Sequence, residues 1–168
     1  MMATLFTPDN LHHLLVMTIT SALATLGFAL LLRLNFNRIP WATLGGILTC
    51  LFYEITVIFG GNMLLAAFIS SLFMALYSEF SARFFRAPAF IFLIPCAIPI
   101  VPGSYLYYSF YYLFTGNQVL ALEKIKGTAQ IGLGIAIGIS FSSILLGMIL
   151  QVLKTVRQKK AKKQNNEA

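Results

Sequence analysis

Apolar residues recur along this chain in runs of about twenty, the length an α-helix needs to cross the ~30 Å hydrocarbon core of a bilayer. The runs extend from about Leu11 to Leu32, Trp41 to Phe59, Met63 to Phe80, Ala89 to Phe114 and Thr128 to Leu150. Little sequence remains for a soluble domain. Of 168 residues, 58% are hydrophobic and 10% charged, with a mean hydropathy of +0.82, whereas an ordinary soluble domain carries about 25% charged residues. The pattern predicts an all-α membrane protein of five transmembrane helices, the fourth broken by proline and glycine. It divides the chain into a short N-terminus over 1–10, a membrane domain over 11–153 and a basic tail over 154–168. The first run follows ten residues without Lys or Arg and is too long for the apolar region of a signal peptide, so it is expected to remain as a membrane helix.

The connections set the expected orientation. Arg33 and Arg38 follow the first run, Arg83 and Arg86 the third, and Lys154, Arg157, Lys159, Lys160, Lys162 and Lys163 the fifth, while the opposite side holds only Lys124 and Lys126. Ten basic residues against two predict an N-terminus outside and a C-terminus in the cytoplasm. Trp41 at the inner boundary and Tyr105, Tyr107, Tyr108, Tyr111 and Tyr112 toward the outer end of the fourth run agree with aromatic belts. The net charge of +7 does not point to nucleic acid, because six of the twelve basic residues sit in the tail, where anionic lipid headgroups are the expected partner. No tandem repeat is visible. Many transporters are built from two similar halves around a central site, so a five-span unit of this kind is expected to pair with a second one.

The fourth run carries the most chemistry. Pro95, Pro99 and Pro102 are spaced i, i+4, i+7 and would share one helical face. Each lacks an amide hydrogen, which is expected to free the carbonyls of Ile91, Pro95 and Ile98. Free carbonyls are tolerated in hydrocarbon only against protein or a water-filled cavity. Gly103 would permit a turn and Ser104 would cap a new half-helix, whose N-terminus could face a substrate carboxylate about halfway through the span. The residues Pro95, Pro99, Pro102, Gly103 and Ser104 are therefore the expected substrate path, and a packing hinge that binds nothing is the alternative.

Glu54 has no basic residue in its own run. An intramembrane carboxylate is a functional candidate, here a proton site, unless it sits near enough to the outer interface to meet water. Glu79 precedes Arg83 by four residues, the spacing of a helical ion pair, and with Arg83 and Arg86 forms the expected cytoplasmic rim. Gly134, Gly138 and Ser142, and likewise Ser21, Thr25 and Ala29, are spaced by four and allow close helix approach. Cys50 and Cys96 read as small buried hydrophobes, and His12 and His13 as interfacial residues. Neither a metal-ligand set nor a cofactor-binding motif nor a nucleophile and base pair is present, so an enzyme is not expected.

The stretch Ala82 to Tyr107, ARFFRAPAFIFLIPCAIPIVPGSYLY, resembles the signature of the threonine/serine exporter family, in particular its short membrane subunits. The matching positions are Ala82, Arg83, Arg86, Ala87, Pro88, Pro95, Pro99, Val101, Pro102, Gly103, Ser104 and Tyr107. Gly45, Gly46, Tyr53, Ala66, Ala67 and Phe68 are similar in type and placement. Cys96 departs from the family pattern, where glycine is expected. The longer exporters of this family resemble two fused five-span halves, and the chain is similar to the second. The resemblance implies a partner with five further spans and a cytosolic segment, and export of small carboxylates: threonine and serine, or a dicarboxylate such as succinate. The expected protein is thus one subunit of a two-component secondary exporter in a bacterial inner membrane. A non-transporting membrane scaffold and a homo-oligomeric channel are the competing classes.

Overall fold

A computed structural model describes the backbone of residues 8–166 and the side chains of residues 10–149 and 151. The expected lipid contacts of the tail, and most of the N-terminal segment 1–10, lie outside the described residues. The elements are α1 (Pro8–Leu31), α2 (Ile39–Ile58), α3 (Met63–Phe84), α4 (Phe90–Ala97), a 3-10 turn (Ile98–Ile100), α5 (Gly103–Phe114) and α6 (Gln118–Asn166). Among the described residues, four helices are long and apolar enough to cross a membrane, and α4 with α5, bent by 50° at the break between them, passes the same test together as a fifth candidate span.

Local sequence sets the helix ends. Asn62 caps α3 by accepting a 2.8 Å bond from the Leu65 amide, and Asn117 accepts from the Leu120 amide at 3.3 Å. Four helices finish in the same paired-bond turn, with a left-handed residue just past the end. At one end of the bundle these residues are Gly60 (φ 84°) and Gly116 (φ 80°), and at the other they are Arg33 (φ 53°) and Arg86 (φ 48°). The amides of Arg33 and Leu34 donate to the Leu30 and Ala29 carbonyls at 2.9 and 3.0 Å, and those of Arg86 and Ala87 to Arg83 and Ala82 at 3.4 and 2.9 Å. A left-handed non-glycine residue costs about 1–2 kcal/mol. A cation beside the last carbonyls of a helix offsets part of that cost.

The small-residue stripes close against helices of this chain. Ser21, Thr25 and Ala29 are the buried positions of α1, and Thr25 packs onto Gly46 of α2. On α6, a Cβ added at Gly138 would stand 2.8 Å from the Phe68 carbonyl oxygen, and one at Gly134 would meet Leu64 and Ala67. Ser71 reinforces the contact by donating to the Gly134 carbonyl at 3.3 Å. Rising positions on α6 meet rising positions on α3, from Gly127 beside Met63 to Gly138 beside Leu72, so the two helices run parallel.

That register explains a difference from the sequence expectation. Thr128, the expected start of the fifth span, is close to where α6 draws level with the first residue of α3. The helix itself begins ten residues earlier, at Gln118. Residues 118–126 therefore extend past the end of α3 and form a hairpin with α5. At the other terminus the backbone remains helical to Asn166, where a disordered tail is expected from composition. Ala, Lys, Arg and Gln are good helix formers and carry the helix onward from the span.

Replacing Gly138 by Val is expected to cost about 1–3 kcal/mol, because backbone on α3 would have to move. Gly132→Ala, at a position where a Cβ meets nothing within 4 Å, should be neutral. Thermal unfolding of the purified chain in detergent distinguishes them, and equal stability of the two variants would refute the contact's importance.

Candidate functional site

The break in the fourth span begins from a tightly held α4. Phe92 and Cys96 are fully buried, and Pro95 is nearly so. The Cys96 thiol donates to the Ala42 carbonyl at 3.4 Å and fills the space that Gly45 leaves open on α2. Ile100 packs with Cys96 and with Met74, which lies midway along α3. The helix thus reaches the middle of the bundle before it stops.

The prolines do not leave the carbonyls as exposed as their spacing suggests. The Ile98 amide donates to the Pro95 carbonyl, and the Val101 amide to that of Ile98 at 3.3 Å. Tightening from α-helix to 3-10 geometry recovers two of the three acceptors by bonding one residue closer. Val101 is then extended (ψ 125°), and Pro102 (φ −76°, ψ 53°) forms an inverse γ-turn in which the Gly103 amide donates to the Val101 carbonyl at 2.7 Å. Pro102, not Ser104, occupies the N-cap of α5, and no side chain caps it. Gly103 is the first helical residue. Its φ is not left-handed and a Cβ there would meet nothing within 4 Å, so the turn is the work of proline and not of glycine.

Beyond the break, Ser104, Tyr105, Tyr108 and Lys124 line an open depression of ≈ 210 Å³. The Lys124 ammonium lies 5.2 Å from the centre of the Tyr105 ring and 3.5 Å from a Glu123 carboxylate oxygen. From sequence, Lys124 reads only as a connecting-loop charge. The early start of α6 brings it to the broken span, and the Gly116-Asn117 stop and cap pair was the available signal.

Glu54 is not isolated in the bilayer. Its Oε2 lies 3.2 Å from His13 Nε2 on α1, and the two side chains are 15% and 52% exposed. Glu54 is one turn from the end of α2, at the tyrosine-bearing end of the bundle. Glu79 and Arg83 pair at 3.6 Å across one turn of α3 at the opposite end, close to Arg86. The fold therefore brings Ser104 to Lys124 and Glu54 to His13, and keeps both apart from Glu79, Arg83 and Arg86. In this half-exposed setting the His13 and Glu54 pair should contribute about 0.5 kcal/mol. A double-mutant cycle with His13→Ala and Glu54→Ala, read by unfolding in detergent, would show additive losses if the pair were unimportant.

No curated protein and no solved structure matches the chain. The family model described as Threonine/Serine exporter, ThrE matches residues 17–145, which takes in α2 to α5, most of α1 and the bundle-forming part of α6. That match covers the break, the two stripes, Glu54, Lys124 and the arginines of the opposite end, though not His13, so this helical, multi-pass membrane chain belongs to the threonine/serine exporter family.

Proposed function

We propose that the chain is one membrane subunit of a two-component secondary exporter for small carboxylated metabolites, either threonine and serine or a dicarboxylate such as succinate. It works with a second five-span subunit that carries a cytosolic segment. The observation that carries the proposal is the interruption of the fourth span at mid-depth, between Ile100 and Gly103, in a chain of an exporter family. Irregular backbone at that depth belongs beside protein or water, not lipid. The break from Pro95 through Pro99, Pro102 and Gly103 to Ser104 forms part of the path, and the start of α5 with Lys124 offers positive potential to a carboxylate on its way out.

Glu54, with His13 beside it, is the proton site that couples export to an ion gradient, and Glu79, Arg83 and Arg86 form the cytoplasmic rim. The chain sits in a bacterial inner membrane with its N-terminus outside, as the ten-to-two distribution of basic residues favours. The basic tail lies against anionic lipid.

Efflux of preloaded threonine, serine or succinate from cells lacking both subunits tests the proposal. Restoring both should restore efflux of one of them, and unchanged efflux of all three would overturn it. Pro102→Leu returns an amide that can extend the 3-10 turn. This variant should lose most of the flux while still inserting and associating with the partner, and loss of association instead would favour a scaffold.

A further inference from the structure

Both helix ends that finish in a left-handed arginine lie at the same end of the bundle, and one of them borders a cleft. The turn after α1 and the outer face of α4 enclose ≈ 160 Å³, close to the ~150 Å³ that holds a benzene ring in a protein interior. Arg33, Asn35 and Arg38 supply one wall, and Phe90, Ile91 and Ile94 the other. The described carboxylates are all engaged elsewhere, Glu54 by His13, Glu79 by Arg83 and Glu123 by Lys124. Arg33 and Arg38 therefore bring two positive charges to the cleft with no anionic partner among the described residues. The left-handed backbone that holds Arg33 there is a conformation an arginine adopts only at a cost.

The other wall excludes a purely water-soluble anion as the best match. Phe90 is 59% exposed and Ile94 42%, and both continue the apolar outer surface of the fourth span. A ligand that fits carries a negative phosphate at one end and hydrocarbon at the other, at the level where helices leave the bilayer. We propose that this cleft is a binding site for an anionic phospholipid, with the phosphodiester between Arg33 and Arg38 and the first part of an acyl chain along Phe90, Ile91 and Ile94. Basic pockets between spans at this boundary are suited to such headgroups. The cleft is lined by the turn between α1 and α2 and by the first half of the fourth span, before the break at Ile100 to Gly103.

Native mass spectrometry of the full chain, equilibrated with vesicles of equal phosphatidylglycerol and phosphatidylethanolamine, tests the proposal. The wild-type chain should retain phosphatidylglycerol preferentially. Arg33→Asn with Arg38→Gln, which keeps a residue tolerant of the left-handed turn and leaves the tail intact, should reduce that retention on the order of tenfold. Ile94→Trp, which fills the cleft without altering charge, should reduce it as well and serves if the double variant does not fold. Arg83→Gln, paired outside the cleft, should retain the lipid. Unchanged retention in either cleft variant, equal loss in Arg83→Gln, or displacement of the lipid by millimolar inorganic phosphate would overturn the proposal.

Discussion

A backbone amide or carbonyl in hydrocarbon has no water to bond with, and the fourth span is organised around that constraint. Three prolines remove three donors within eight residues, yet the segment does not simply open. The chain shifts to 3-10 bonds that return partners to Pro95 and Ile98, then turns through the Gly103 to Val101 bond before α5 begins. The 50° bend is the geometric consequence of satisfying those groups with shorter-range bonds. What distinguishes this site from a kinked helix is that direction changes while much of the polar backbone stays paired.

The bend requires rigid surroundings, and the small residues provide them. Gly45 admits the Cys96 thiol, so α4 is held against α2 immediately before the break. The parallel pair of α3 and α6, joined at Gly134, Gly138 and Ser71, forms the other wall. The departure of Cys96 from the glycine expected in the family is accommodated across the helix interface and does not alter the helical geometry of α4. Because α6 begins well before it meets α3, α5 gains a neighbour along its length and Lys124 reaches the tyrosines. The two ends of the bundle then differ in chemistry, with Tyr105, Lys124 and the His13 and Glu54 pair at one and a set of arginines at the other.

Much of the fold was legible from residues whose meaning is local. Span lengths, the Glu79 and Arg83 pair and the interruption after Ile100 follow from hydropathy, spacing and missing amides. The expectation for Ser104 and Gly103 failed because a serine after glycine is a capping signal only when the residue before it is not itself fixed in a turn. Pro102 supplied the turn and displaced both roles. The extra length of α6 was hidden because Glu123, Lys124 and Lys126 interrupt the apolar run without interrupting the helix.

The sequence by itself determined that the chain must lie in a membrane, how many times it can cross, and where one crossing must fail, because apolar length and absent donors act on each segment alone. Tertiary structure decided that Glu54 meets His13, that Cys96 fits beside Gly45, that Lys124 reaches Tyr105 and that Arg33 and Arg38 share a cleft with α4. Those pairings join residues distant along the chain, and only the packing angle and register of the helices, set by close contact at glycine and serine, bring them within reach.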